Sequence, residues 1–197
     1  MSAASADALW EHLVARPEPI TQLRRSAAHP VHAYLLAGAA GSGTAEAARR
    51  FAAAMVCPDG GCGTCSACRR ATSGRHPDVV EVEPEGTFIV VGQIEEVIRE
   101  ASRSPFEAPR KVIVLSEADR MNDTAANKLL KTLEEPPART HFVLLSDAPD
   151  DLIPTVRSRL ARVDFPALGD QTVIDALRGD GASADEAAEV ARHSAGR

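Results

Sequence analysis

Aromatic side chains make up only 4% of the 197 residues, too few to build the stacking platform on which proteins lay out single-stranded nucleic acid. A basic excess is missing as well. With 22 Lys and Arg against 28 Asp and Glu the net charge is −6, so a bulk electrostatic grip on a phosphate backbone is excluded and any nucleic-acid contact has to be local. No apolar run approaches the ~20 residues that span a bilayer. The opening Met1-Ser2-Ala3-Ala4-Ser5-Ala6-Asp7 lacks both the basic and the apolar segment of a secretory leader. The expectation is a cytoplasmic protein without membrane association. What is present is an ordinary balance, 44% apolar and 25% charged, which excludes disorder and fibrous repeats and allows about one domain plus a small appendage.

Strand and helix signals alternate along the chain. Pro17 to Ala28 reads as a helix opened by proline, with Ile20, Leu23 and Ala27 at helical spacing. Short apolar runs predict strands at Ala33–Ala37, Val79–Val82, Lys111–Leu115, His141–Leu145 and Ala161–Phe165. Between them, helical patterns run from Thr44 to Met55, Gln93 to Ser102, Asn122 to Leu133 and Ile153 to Arg159. This order predicts an α/β fold, a parallel sheet with helices on both faces joined by right-handed crossovers. After Phe165-Pro166 strand signals cease and two helical stretches follow, Asp170 to Arg178 and Ala184 to His193. A domain boundary is expected near Pro166, giving 1–166 and 167–197.

Cysteine is absent except between Cys57 and Cys68, where Cys57, Cys62, Cys65 and Cys68 form C-x4-C-x2-C-x2-C. Four thiolates satisfy a tetrahedral zinc ion, and glycine in the spacers lets the chain turn tightly enough to aim them. Two disulfides are the alternative, disfavoured in a reducing compartment. A four-cysteine site leaves no open coordination position, so the metal would be structural, knitting a knuckle at 57–68. No H-E-x-x-H is present, which removes the zinc-hydrolase class.

The turn after Ala37 resembles a phosphate-binding loop without its chemistry. Gly38, Gly41 and Gly43 stand in the frame of G-x-x-x-x-G-K-[ST], but Thr44 replaces the lysine and Ala45 the magnesium-binding hydroxyl. No lysine lies between Val31 and Arg110 to substitute for it. After the strand ending at Leu115, Ser116 precedes Glu117 where a magnesium-binding aspartate would stand. The loop reads as a tight turn holding no nucleotide, with loop amides that retain room for an adventitious anion.

These residues resemble the delta-prime subunits of bacterial DNA polymerase III clamp loaders, members of the AAA+ family. The resemblance is carried by His32-Ala33-Tyr34-Leu35-Leu36, the knuckle, His76-Pro77-Asp78, the run from Ala125 to Pro137 (Ala-Ala-Asn-Lys-Leu-Leu-Lys-Thr-Leu-Glu-Glu-Pro-Pro), and Ser158-Arg159 matching an S-R-C motif with Leu160 in place of the cysteine. It implies a P-loop NTPase-like AAA+ sheet domain with an inserted zinc knuckle, followed by the start of a helical lid and cut before a collar domain. It further implies a non-hydrolysing component of the polymerase holoenzyme that helps load the sliding clamp on primed DNA. Its partners would be the gamma/tau ATPase subunits and the delta subunit, with clamp and primer-template DNA met through the complex. Arg159 would then act in trans as an arginine finger, worth about 10³–10⁵ in rate where such fingers are known. From the sequence alone, the reading of Arg159 as a cation at a helix C-terminus prevails, and only the matching motif raises the finger above it. The rival enzyme reading is an active ATPase motor subunit of the same assembly, against which Thr44, Ala45 and Ser116 argue together. Arg69, Arg70, Lys128 and Lys131 have the charge to touch a primer-template, but solvent-facing helix positions explain them equally well, and no DNA site is assigned to them.

Overall fold

Strands rich in Val, Leu and Ile on both faces can be stable only where both faces are covered, and this dictates the architecture. The computed structural model describes residues 8–10, 13, 17–167, 170–179 and 183. The elements are α1 (Pro17–Ala28), β1 (Ala33–Ala37), α2 (Thr44–Val56), α3 (Ser66–Thr72), β2 (Val79–Val82), α4 (Val91–Ala101), β3 (Lys111–Leu115), a 3-10 turn (Ala118–Arg120), α5 (Asp123–Glu134), β4 (Thr140–Ser146), α6 (Pro154–Arg157), β5 (Ala161–Asp164) and α7 (Asp170–Gly179). The five strands are all parallel, in the order β2-β3-β4-β1-β5.

Alternation along β1 divides the core in two. Tyr34 and Leu36 face α1 and α2, packing with Leu23, Phe51 and Met55, while Ala33 and Leu35 face α4 and α5 with Ile94, Leu129 and Leu133. Central strands β1 and β3 are buried along their whole length, whereas the edge strands β2 and β5 are only partly covered. The ring of Phe51 meets Tyr34 edge to face with centroids 4.8 Å apart, the preferred geometry for such a pair.

Several boundaries differ from those read in the sequence, each for a local reason. Helix α4 begins at Val91 because Gln93 Oε1 accepts the Val90 N–H at 3.3 Å, capping the first turn two residues before the expected Gln93. Helix α6 stops at Arg157 and not at Arg159, since the Arg159 N–H bonds back to Val156 O at 3.0 Å and the chain tightens into a turn. Helix α3 was not expected at all: Cys65 caps it, its sulfur accepting the Cys68 N–H at 3.4 Å. Helix α7 matches the expected Asp170 to Arg178 within one residue. The helix read at Ala184 to His193 lies outside the described residues.

Candidate functional site: a thiol centre, a silent loop and an edge arginine

The knuckle leaves the C-terminus of α2 at Cys57 and re-enters helix at Ser66. Gly63 adopts φ 76°, and a Cβ there would lie 2.9 Å from Leu9 N, so the turn is open only to glycine. Arg69 Nη1 ties the loop back through Thr64 O. All four sulfurs lie within 4.8 Å of one another, with Cys57 Sγ 3.8 Å from both Cys62 and Cys65. Metal–sulfur bonds of about 2.3 Å in a tetrahedron require edges of about 3.8 Å, and a disulfide requires about 2.05 Å. The group could therefore hold a metal ion, and its spacing is compatible with structural zinc. Burial at Cys62 opposes ionisation, but the Thr64 and Cys65 amides aimed at its sulfur outweigh it and lower the thiol to about 6. At Cys65 and Cys68 burial wins and pushes the thiols up.

The glycine loop has the expected strand-loop-helix geometry. Gly38 N–H donates to Ser146 O at 3.0 Å, and a Cβ at Gly38 would meet Ser42 Oγ at 2.5 Å and Phe165 at 2.7 Å, so β1, the loop and the segment after β5 are packed backbone to backbone. Gly41 and Gly43 take positive φ, and Gly43 opens α2 directly before Thr44. Glu117, in the left-handed region at φ 51°, pairs with its own chain at Arg120, 2.8 Å away. Thr44 lacks the charge of the lysine, and Ala45 the metal-binding hydroxyl, of a nucleotide site.

Arg159 lies at the other end of the sheet. It precedes Ala161, the first residue of β5, which registers with Tyr34, while the glycine loop follows Ala37 at the opposite end of β1. At about 3.3 Å per residue the stretch of β1 from Tyr34 to the loop spans roughly 13 Å, and Arg159 lies two residues further back still, so it cannot reach its own loop. Its side chain is one-third exposed and donates to Thr155 O at 2.7 Å and to Glu134 Oε1. Three of the other cations weighed above are held by their own chain: Arg69 on Thr64 O, Arg70 on Glu107, Lys128 on Glu95 at 2.9 Å.

Sequence reasoning missed Asp78. Its buried carboxylate accepts the N–H groups of Phe106 at 2.6 Å, Glu107 at 2.9 Å and Ala108 at 2.8 Å, fixing the loop that leads into β3. The only signal was its place in His76-Pro77-Asp78. It also missed Glu134, which sits inside the matching run but carries no sign in the sequence of whom it meets.

Comparison with known proteins agrees with this layout. The family described as DNA polymerase III, delta subunit, matches residues 16–169. The chain is 39% identical over 149 residues to DNA polymerase III subunit delta' of Bacillus subtilis, covering 74% of this chain and 45% of that protein. It is 38% identical over 168 residues to the delta' subunit of Pseudomonas aeruginosa, covering 82% of this chain and 48% of that protein. It is also 34% identical over 147 residues to the Bacillus subtilis tau subunit, covering 73% and 26%. The chain thus spans about half the length of the delta' relatives it matches. Among solved structures, a gamma subunit-related DNA polymerase III protein of Thermotoga maritima superposes with TM-score 0.57 at 24% identity over 87% of this chain and 58% of that one. The Thermotoga maritima RuvB Holliday junction branch migration motor superposes with TM-score 0.57 at 14% identity, covering 94% and 55%. These neighbours establish the fold as the AAA+ P-loop type. With the profile match over most of its length and the delta' relatives aligned through the same sheet, the chain belongs to the DNA polymerase III delta subunit family, on its delta' side.

Proposed function

We propose that the protein is the non-hydrolysing delta' component of a DNA polymerase III clamp loader, working in the cytoplasm beside gamma/tau ATPase subunits and a delta subunit to place a sliding clamp on primed DNA. The observation that carries this reading is the separation of Arg159 from the chain's own glycine loop by the length of β1. A guanidinium at the sheet edge, away from a loop whose Thr44 and Ala45 cannot hold magnesium nucleotide, is suited to serve a neighbour's phosphates. Its planar fork matches phosphate oxygens, and its charge would stabilise the transferring phosphoryl group. The same loop chemistry disfavours an ATPase motor subunit, despite the likeness to tau.

Zinc is the metal proposed for Cys57, Cys62, Cys65 and Cys68, in a structural role that fixes the knuckle against α2. Residues 1–166 would form the AAA+ domain, and α7 would begin a helical lid within 167–197. The test is co-assembly. Full-length protein mixed with the ATPase and delta subunits should co-elute as one complex, and clamp loading on primed DNA should require it. A chain that hydrolyses ATP alone, or a loader indifferent to its omission, contradicts the reading.

A further inference from the structure

The guanidinium of Arg159 is held by its own chain from two sides. Nη1 donates to the carbonyl oxygen of Thr155 at 2.7 Å and lies 3.5 Å from Ser158 Oγ, and the Ser158 hydroxyl itself donates to the same Thr155 oxygen at 3.1 Å. Nη2 donates to Oε1 of Glu134, the last residue of α5. That helix is itself anchored, with Leu129 and Leu133 buried against the sheet. The carboxylate therefore stands on a rigid element, whereas Arg159 lies past the end of a one-turn helix. Nε takes part in neither bond. Of the five N–H groups of a guanidinium, those not spent on Thr155 and Glu134 are left to meet an anion.

We infer that Glu134 is a positioning residue for Arg159, holding the plane of the guanidinium so that its remaining N–H groups are presented outward from the sheet edge. The inference rests on the reading of Arg159 as a residue that serves a neighbour's nucleotide. A free arginine samples many rotamers and loses that freedom on docking. Two acceptors that set the plane beforehand remove part of that loss, as a supporting shell does for any preorganised site. The side chains of Arg159 and Glu134 are 34% and 44% exposed, which puts the coupling in the range of surface ion pairs. A two- to fivefold effect on turnover is therefore expected, about 0.4–1 kcal/mol.

The experiment uses the reconstituted clamp loader carrying full-length protein with Glu134→Ala, Glu134→Gln, Arg159→Ala, or both alanine changes. Glu134→Ala should lower kcat for DNA-stimulated ATP hydrolysis two- to fivefold with KM for ATP nearly unchanged. Glu134→Gln, which keeps an acceptor oxygen, should recover at least half of the loss. In the Arg159→Ala background, Glu134→Ala should add nothing. In the isolated protein, ¹⁵N relaxation at Arg159 Nε should show greater mobility in Glu134→Ala, with thermal melting as the check on folding. A rise in kcat on Glu134→Ala would mean that the carboxylate restrains the arginine, and unchanged kcat with unchanged Nε mobility would mean that the contact is idle. Either overturns the inference while leaving the finger standing. An Arg159→Ala loader with normal turnover instead overturns the underlying reading of Arg159, and the positioning role with it.

Discussion

The Nζ of Lys111, 3% exposed at the start of β3, donates to Glu100 Oε1 at 2.6 Å and to the Glu100 carbonyl oxygen at 3.1 Å at the end of α4. Removing the acid strands a charge in the sheet, while removing the lysine leaves a carboxylate that still reaches water. Glu100→Ala should therefore destabilise the protein by about 1–3 kcal/mol, and Lys111→Met should be close to neutral. Chemical denaturation of the two variants checks the order. The lysine also holds the Glu100 carboxyl below its usual range.

Acid should destabilise the fold in two stages. His76 Nδ1 accepts the Asp78 N–H at 3.0 Å, so the neutral ring carries its proton on Nε2, 3.3 Å from Glu107. Burial lowers the His76 pKa. The unfolded chain then binds the proton more readily, and stability falls as pH drops below about 6.5. At Asp78 burial opposes ionisation, but the three loop amides outweigh it and the pKa is lowered. Its contribution is complete above about pH 4 and is lost as pH falls through the folded value. Denaturation midpoints measured from pH 8 to 3 should show both limbs, and Asp78→Asn should flatten the lower one while reducing stability at neutral pH by about 1–3 kcal/mol.

The knuckle packs against Leu9, directly before Trp10. Leu9, Trp10 and Leu13 are buried, Leu9 lies over Gly63, and its carbonyl accepts Arg50. Protein purified without added zinc should contain about one ion per chain. Chelation under denaturing conditions, or Cys65→Ala, should lower the melting temperature by at least about 5 °C and move the emission of Trp10, the single tryptophan, to longer wavelength. Metal-free protein with unchanged melting and emission contradicts a structural metal.

Calorimetric titration of the isolated protein with ATP and magnesium should give no magnesium-dependent heat, because Thr44, Ala45 and Ser116 each remove a contact that such binding needs. A micromolar affinity abolished by a chelator contradicts this.

The sheet was legible in the sequence because parallel strands buried on both faces write themselves as unbroken apolar runs, as at Val112–Leu115 and Phe142–Leu145. The four thiols were legible for a similar reason, their short spacing bringing them together whatever the rest of the fold does. Long-range polar contacts were not. Asp78 caps a loop 28 residues away and Glu134 meets an arginine 25 residues away, and no local pattern encodes either pairing. Helix α3 escaped because its start is set by a cysteine sulfur, a residue outside the usual capping set. The role proposed for Arg159 comes only from the motif it matches, and its place at the end of the sheet away from the glycine loop follows from the strand order, which no local pattern encodes.

The most direct test of the account is the rate of DNA-stimulated ATP hydrolysis by a reconstituted clamp loader whose delta' subunit carries Arg159→Ala. Folding should be intact, since a partly exposed substitution shifts stability by about 0.5 kcal/mol, and the ring should assemble. Turnover should nevertheless fall by the share owed to the one site that Arg159 serves, and Arg159→Lys should restore little of it because an ammonium lacks the planar fork. Wild-type hydrolysis and clamp-loading rates in the Arg159→Ala assembly would contradict the account and leave Arg159 as a cation that merely closes the turn after α6.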